Sequence, residues 1–443
     1  MKKILILALS VLAGGNLRAE QREWTLGQCI SYALENNISV RSGGLQVEQK
    51  ELDYDSARGR VLPAVSASAS ENFSFGRGLT ADNTYTNSNT SSTSFGLGAE
   101  VPVFQGLQLS NGIKMSRLDL EAATADLEKA KDDIRVAVTQ AYVQILYDLQ
   151  VRRVARAQAE HDAQLLEQIV ARKEAGKVSS ADVSAQKATL AGSKLSLTQA
   201  ENNLRLSTLA LTQLLELPSP DGFSIVEPSE DELVPGPLCN PEEIYLRALG
   251  IRPVIRSAEL QLERSRIGID QAKGAYLPSL SLSGGIGTNY YTTSNVTMPT
   301  FAEQMKRNFS QYIGVSLNIP IFSRFSTRNG VRSAQLNYES SQLSLENARK
   351  DLYKEIQQAY CNAVNAGEKL ASSEESALSS REHYELVEQR YLAGKAGISD
   401  YNDAKNSRLQ AECELLKARY EAYFQARLLA FYGGEPLSSA EGQ

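Results

Sequence analysis

The sequence repeats itself, and that repetition limits the fold more than any short motif does. Residues 33–68 align without a gap on residues 248–283, at an offset of 215, with 14 of 36 positions identical. Arg41/Arg256, Leu45/Leu260, Gly59/Gly274 and Pro63/Pro278 are among them. From about residue 95 the offset is 218. Pro102 then answers Pro320, Asn111-Gly112 answers Asn329-Gly330, Gln140-Ala141-Tyr142 answers Gln358-Ala359-Tyr360, and Gly176 answers Gly394. Residues 217–241 hold six of the 13 prolines and read as a connector. The chain is thus a first repeat over 20–216, the connector, a second repeat over 242–434 and a tail at 435–443. Two interlocked halves of one body fit the element lengths better than two separate domains.

Within each copy the hydrophobic period changes. Leu26 to about Gly59, and its copy ending near Gly274, read as helix, and Pro63 and Pro278 stop them because the residue before proline avoids the helical region. Alternation follows. Phe95, Leu97, Ala99, Val101 and Val103 interleave with small or polar residues, as do Ile313, Val315, Leu317, Ile319 and Ile321. This predicts strand hairpins at about 64–104 and 279–322, with polar tips at 76–93 and 288–308. One apolar and one polar face over about ten residues suits a membrane strand with lipid on one side and water on the other. A half-buried hairpin in a soluble body has the same pattern, and the exported compartment and polar tips favour the membrane.

Long helices are predicted from about Asn111 to Arg172 and from Asn329 to Arg390, with an apolar stripe of Ile134, Val138, Ala141 and Ile145 copied as Leu352, Ile356, Ala359 and Ala363. Turns at about 173–182 and 391–400 lead to second helices ending near Leu215 and Tyr432. Val183, Leu190, Leu197, Leu204 and Leu211 recur every seven residues, the spacing of coiled-coil packing. A helix of roughly 60 residues spans about 90 Å, close to the two shorter helices of a repeat laid end to end.

Lys2 and Lys3, the apolar run from Ile4 to Leu12 and a small residue at Ala19 read as a secretory signal peptide over 1–19. Leu26-Gly27-Gln28-Cys29 is a poor lipoprotein site, since Gln28 is not small. Net charge is -6, and no basic patch of the kind nucleic acid demands is present. No later run approaches the roughly 20 apolar residues of a membrane helix, so membrane residence has to come from strands. Four cysteines are few for a disulfide framework. Cys361 and Cys413 stand at different heights beside the second turn and cannot bridge, while Cys29 with Cys239 stays open.

Four strands per chain cannot close a barrel, and lipid does not tolerate open sheet edges. Two chains give eight strands, which leave almost no lumen, and three give twelve and a pore.

This order of elements resembles the TolC family of outer-membrane efflux proteins over nearly the whole mature chain. The most specific residues are Arg172-Lys173-Glu174-Ala175-Gly176-Lys177-Val178-Ser179-Ser180-Ala181-Asp182 and Tyr391-Leu392-Ala393-Gly394-Lys395-Ala396-Gly397-Ile398-Ser399-Asp400-Tyr401-Asn402-Asp403, each with an aspartate six residues after glycine. The resemblance implies a mainly α fold with membrane β. Its form is a homotrimeric outer-membrane β-barrel, four strands per chain, continued by a long α-helical barrel in the periplasm. It also implies lipid contact in the outer membrane, docking to a periplasmic adaptor protein, and an inner-membrane pump or exporter, which is an exit duct for efflux or type I secretion.

Residue by residue, the resemblance places Asp400 and Asp403 at the pore constriction and Asp182 with Tyr391 at the closed gate. The family's arginine is Ala396 here, which leaves Lys395 or Lys177 to supply the cation. The adaptor would dock at the turns, at Arg172, Gly176, Ser179, Arg390, Gly394 and Ser399. A competing reading assigns Asp182 and Asp400 to helix starts, where aspartate caps backbone N–H groups and opposes the dipole. Ser179 and Asp182 have capping-box spacing.

Catalysis is not expected. The two histidines, His161 and His383, are not equivalent between copies, and no P-loop, GxSxG or HExxH motif occurs. No cofactor or metal is called for, and four methionines argue against a methionine-lined metal route. A trimeric coiled-coil surface adhesin or structural protein is the alternative. It would need neither matched strand hairpins nor matched glycine turns.

Overall fold

The computed structural model describes residues 23–79, 83–228, 236–294 and 296–437. The expected signal peptide lies outside them, as do 229–235 of the connector and the end of the tail. The chain divides into two compact units. One gathers residues up to Ser42, Glu128–Arg252 and Asp351 onward, and the other Gly43–Leu127 and Pro253–Lys350. Neither repeat makes a unit of its own, because each unit takes segments from both.

The second unit is organised by one antiparallel sheet. Its strands are β2 (Ala64–Ser74), β5 (Thr90–Gln105), β7 (Ser279–Thr293) and β8 (Ser310–Asn318), in the order β2-β5-β7-β8. The small strands β3 (Arg77–Leu79) and β4 (Tyr85–Asn87) pair at the tip between β2 and β5. Register puts most apolar residues in rows on one face: Val65, Ala99, Gly284 and Ile313 form one row, and Ala67, Leu97 and Ile286 with Gln311 at the β8 edge form the next. The other face carries Ser66, Gly98, Gly285 and Tyr312, then Ser68, Gly96, Gly287 and Ser310. The apolar face is open, with Val65 67%, Ile313 86% and Val315 69% exposed. Surface of this kind is stable only against lipid or protein.

The second hairpin stops short of its expected end. β8 terminates at Asn318, where its partner β7 begins at Ser279. Among the described residues, 319–322 have no strand to pair with. Their counterparts in β5, residues 101–104, run alongside β7 and stay extended to Gln105.

Helices flank the sheet: α2 (Ile38–Gly59), the start of α3 (Gln108–Glu174), α6 (Pro253–Gly274) and the start of α8 (Ser326–Leu392). α6 packs on α3 through Leu260, Leu118 and Ala122, all buried, with Ile267 against them. Arg264 pairs with Asp119 beside this core. At the sheet end of the joint the backbones nearly touch. A Cβ on Gly106 (φ +58°) would lie 2.1 Å from the Gly274 carbonyl oxygen, so glycine is required there on both steric and conformational grounds.

In the first unit the expected first helix is two helices in each copy. α1 (Leu26–Asn36) and α2 are parted by Asn37, and α5 (Pro241–Ile251) and α6 by Arg252. Both residues are extended, with ψ 132° and 126°. Pro253 explains the second break, since it disfavours helix at Arg252. Asn37 makes the first by competing with the helix: its Nδ2 donates to the Leu214 carbonyl at 3.0 Å and its Oδ1 accepts from Ser39 N–H at 2.9 Å.

The core of this unit lies where α1, α3, α4 (Ser180–Leu214) and α9 (Ile398–Tyr432) meet, around Cys29, Val138, Leu146, Leu211 and Leu215. The connector enters it through Ile225, with Leu217 and Phe223 packed against it. β6 (Ser224–Ile225) pairs parallel with β1 (Glu23–Trp24), and the Tyr142 hydroxyl donates to the Val226 carbonyl at 2.5 Å. All four cysteines are free, with Cys29 buried and Cys239 exposed. Among the described residues no helix is long and apolar enough to cross a membrane.

Gly106→Ala should lower stability by about 1–3 kcal/mol through backbone strain and the clash with Gly274, read as a lower midpoint of thermal unfolding in detergent. Gly192→Ala, in α4 with open space around it, should leave the midpoint unchanged or raise it. Equal behaviour of the two variants would refute the close-approach argument.

Candidate functional site

Both turns that join a long helix to its return are closed by backbone alone. Gly176 (φ +72°) and Gly394 (φ +71°) occupy the left-handed region that ends helices. The Lys177 N–H donates to the Arg172 carbonyl at 2.9 Å and the Lys395 N–H to the Arg390 carbonyl at 2.7 Å, the six-to-one bond of a Schellman turn. Two residues later the next helix is capped. Ser179 accepts from the Asp182 N–H at 3.1 Å, and the Asp182 carboxylate accepts from the Ser179 N–H at 2.9 Å. In the second copy Asp400 accepts from the Gly397 N–H at 3.2 Å. Hydrogen bonds from the Ser179 hydroxyl and N–H hold the Asp182 carboxyl below the usual carboxylate range.

The residues singled out from sequence fall into three groups. Asp182 and Asp400 are engaged at helix starts, and Asp182 is held by Ser179 rather than by Tyr391. Arg172 and Tyr391 do meet, with the guanidinium 5.9 Å from the ring centroid. Asp403, Lys177, Lys395, Arg390 and Ser399 are exposed. Asp403 lies one turn beyond Asp400 on α9, so the two carboxylates share a helix face.

The two turns pack on one another. Leu165, Ile169 and Val183 of the first copy meet Tyr384, Val387, Tyr401 and Ala404 of the second. The Tyr391 and Tyr401 rings stack with centroids 4.9 Å apart. The Tyr384 and Tyr401 hydroxyls are 2.9 Å apart, and Tyr384 donates to Glu388 at 2.7 Å. Burial, with Tyr401 and Glu388 adding to it, pushes the Tyr384 hydroxyl well above the usual tyrosine range.

Below this aromatic layer lies a buried ion pair that the sequence reading did not single out. Lys405 on α9 bonds to Asp162 on α3, and the side chains are 1% and 0% exposed. Ser193 also donates to Asp162, and Gln158 donates to it at 2.8 Å. Asn402 accepts from Lys405 at 3.4 Å and donates to Gln186 at 3.2 Å. Burial acts to raise the Asp162 pKa, but the polar groups of His161, Lys405, Ser193 and Gln158 outweigh it and hold the carboxyl well below its usual range. A signal existed. Asp162 sits between Ala159 and Leu165, and Lys405 between Tyr401 and Arg408, each interrupting the inward stripe of its own helix. His161 is part-exposed, with Nε2 3.4 Å from the Tyr401 hydroxyl. Among the described residues no cluster of His, Cys, Asp and Glu could hold a metal ion.

A family model described as outer membrane efflux protein matches residues 29–216 and 244–434. The chain is similar to outer membrane protein TolC of Vibrio cholerae, 25% identical and covering 95% of this chain and 93% of that one. It is similar also to the probable efflux pump outer membrane protein TtgC of Pseudomonas putida, 21% identical over 93% of this chain and 84% of that one. Its fold matches the crystal structure of the Campylobacter jejuni CmeC outer membrane channel with a TM-score of 0.79, at 20% identity, over 94% of this chain and 87% of that one.

Removing one partner of the buried pair leaves an uncompensated charge. Lys405→Met should therefore cost about 3–5 kcal/mol, and Asp162→Leu with Lys405→Met should recover most of that. Because the folded Asp162 pKa is depressed, the stabilisation is full above the unfolded value near ~4 and declines as pH falls below it. Thermal unfolding across that window should show a steeper acid loss for the wild type than for the double variant. Parallel acid profiles would remove the pair from the account.

Proposed function

The chain belongs to the outer membrane efflux protein family, and on that premise we propose how its geometry makes an exit duct. It is an outer-membrane protein of efflux. Three copies each contribute the four strands β2, β5, β7 and β8, and twelve strands close a barrel wide enough for a lumen. The barrel continues into a periplasmic tunnel of long helices. The observation that carries this reading is the open sheet, whose edges β2 and β8 have no partner and whose apolar face is exposed. Such edges are not stable in lipid until paired, and such a face is not stable in water. The small and hydroxylated residues of the opposite face suit a water-filled lumen.

The two turns form the entrance. Docking there would bring a periplasmic adaptor and an inner-membrane pump; TtgC of Pseudomonas putida is itself a probable efflux pump outer membrane protein. Arg172, Arg390, Ser399 and the short loops after Gly176 and Gly394 are the candidate contacts. Asp400 and Asp403 of three chains bring six carboxylates around one axis, a ring that favours cations and hinders anions. Ala396 lacks the charge of the family's gate arginine. In this chain the Lys405–Asp162 pair and the Arg172–Tyr391 contact hold the two turns together in its place. The duct moves substrate without chemistry, so no catalytic group is assigned.

The purified chain should run as a trimer in detergent and open conducting pores in planar bilayers. Asp400→Asn with Asp403→Asn should reduce cation selectivity and blockage by multivalent cations, with the trimer retained. Selectivity unchanged in that variant would eliminate the ring. A monomer with no conductance would eliminate the duct.

A further inference from the structure

The two copies share a backbone but not a charge pattern where strand gives way to long helix. Residues 304–338, which carry β8 into the start of α8, hold Lys306, Arg307, Arg324, Arg328 and Arg332 and no aspartate or glutamate. The matching stretch of the first copy, 86–120, balances Lys114 and Arg117 with Glu100 and Asp119. The whole chain has a net charge of -6, so the positive excess is local. Its densest part is the helix start, with Arg324, Arg328 and Arg332. Shifted back by 218, these fall on Gly106, Ser110 and Lys114.

The fold does not use these three arginines. All are exposed, and among the described residues none forms an ion pair; the pairs on either side in sequence are Arg307 with Glu303 and Lys350 with Glu346. Arg332 donates to the Gln335 side chain at 3.3 Å, and the Arg328 guanidinium lies 5.3 Å from the Phe325 ring centroid. Cations at a helix start oppose its dipole, so helix stability does not call for them. Nor does packing: Ser110 and Lys114, the counterparts of Arg328 and Arg332, stay exposed where α3 packs on α6.

The residues just before them are apolar and equally bare. Ile319 is 59%, Ile321 96%, Phe322 70% and Phe325 57% exposed, and the Phe322 and Phe325 rings meet edge to face at 5.6 Å. Arg328 and Arg332 are one turn apart on α8 and share a face. The surface therefore offers hydrocarbon contact on its strand side and guanidinium groups on its helix side. An amphiphile with acyl chains and a phosphate complements both parts. We propose that the start of α8 binds an anionic phospholipid, with its acyl chains on Ile319, Ile321 and Phe322 and its phosphate on Arg328 and Arg332, where Arg324 adds charge. This rests on the membrane placement proposed above, which sets the junctions of strand and long helix at the periplasmic face of the bilayer. It adds a lipid class and confines the contact to the second copy. The first copy has Leu107 in place of Phe325 and balanced charge, and holds no headgroup.

Binding of a fluorescent phosphatidylglycerol to the oligomer purified in neutral detergent tests this, with unlabelled phosphatidylglycerol, phosphatidylcholine and inorganic phosphate as competitors. Phosphatidylglycerol should compete roughly tenfold better than phosphatidylcholine, and inorganic phosphate at the same concentration should not compete. A surface arginine gives roughly fivefold preference for anionic lipid, so Arg328→Gln with Arg332→Gln should lose about 25-fold in phosphatidylglycerol affinity, with trimer and conductance retained. Arg328→Lys with Arg332→Lys, which keeps the charge, should retain most of the preference. Lys114→Gln with Arg117→Gln removes the same charge from the first copy and should leave binding nearly unchanged. Conducting trimers that bind both lipids alike, that release phosphatidylglycerol to inorganic phosphate, or that lose it equally in the first-copy variant would overturn the lipid site while the duct stands. A monomer without conductance would overturn the duct, and with it the placement on which the lipid site rests.

Discussion

An unpaired strand edge in lipid is the constraint from which the rest follows. Each bare N–H and C=O in hydrocarbon costs several kcal/mol, and this chain ends its sheet on two such edges, β2 and β8. No rearrangement of four strands within one chain removes them. The assembly of three copies proposed above would satisfy both edges at once. The long helices α3 and α8 follow strands β5 and β8 of the sheet in the chain. On that proposal, closure answers to hydrogen-bond satisfaction before it serves transport.

Much of this was legible in the sequence because repetition and period survive without knowledge of contacts. The alternation in 95–103 and 313–321 located the strands, and the glycine six residues before aspartate located the turns. What escaped depended on partners distant in sequence. Pro253 could have announced the break between α5 and α6, but Asn37 breaks α1 from α2 through a bond to Leu214, 177 residues away. The end of β8 was misplaced because a strand's length is set by the strand beside it, and residues 319–322 have none among the described residues. The Lys405–Asp162 pair joins residues 243 apart, so each charge could be seen to interrupt its own helix stripe while its partner could not be read.

The two aspartates at the turns show how one residue type can serve two ends. As helix caps, Asp182 and Asp400 are accounted for by hydrogen bonds to their own backbone. Asp403 is too far along α9 to cap and is left exposed. The cohesion of the region comes instead from groups withdrawn from solvent, namely the stacked tyrosines and the ion pair beneath them. The groups that hold the end together and the exposed carboxylate proposed for the constriction are therefore different residues, and each set can be altered without the other.

The backbone closure of the two turns has an evolutionary consequence. A bend held by one glycine and main-chain bonds makes almost no demand on the side chains it displays. Positions such as Lys177 and Lys395, both exposed, can drift without threatening the fold. A lineage could re-address this end of the molecule to a new companion by point changes alone, keeping the same architecture while swapping the machinery it serves.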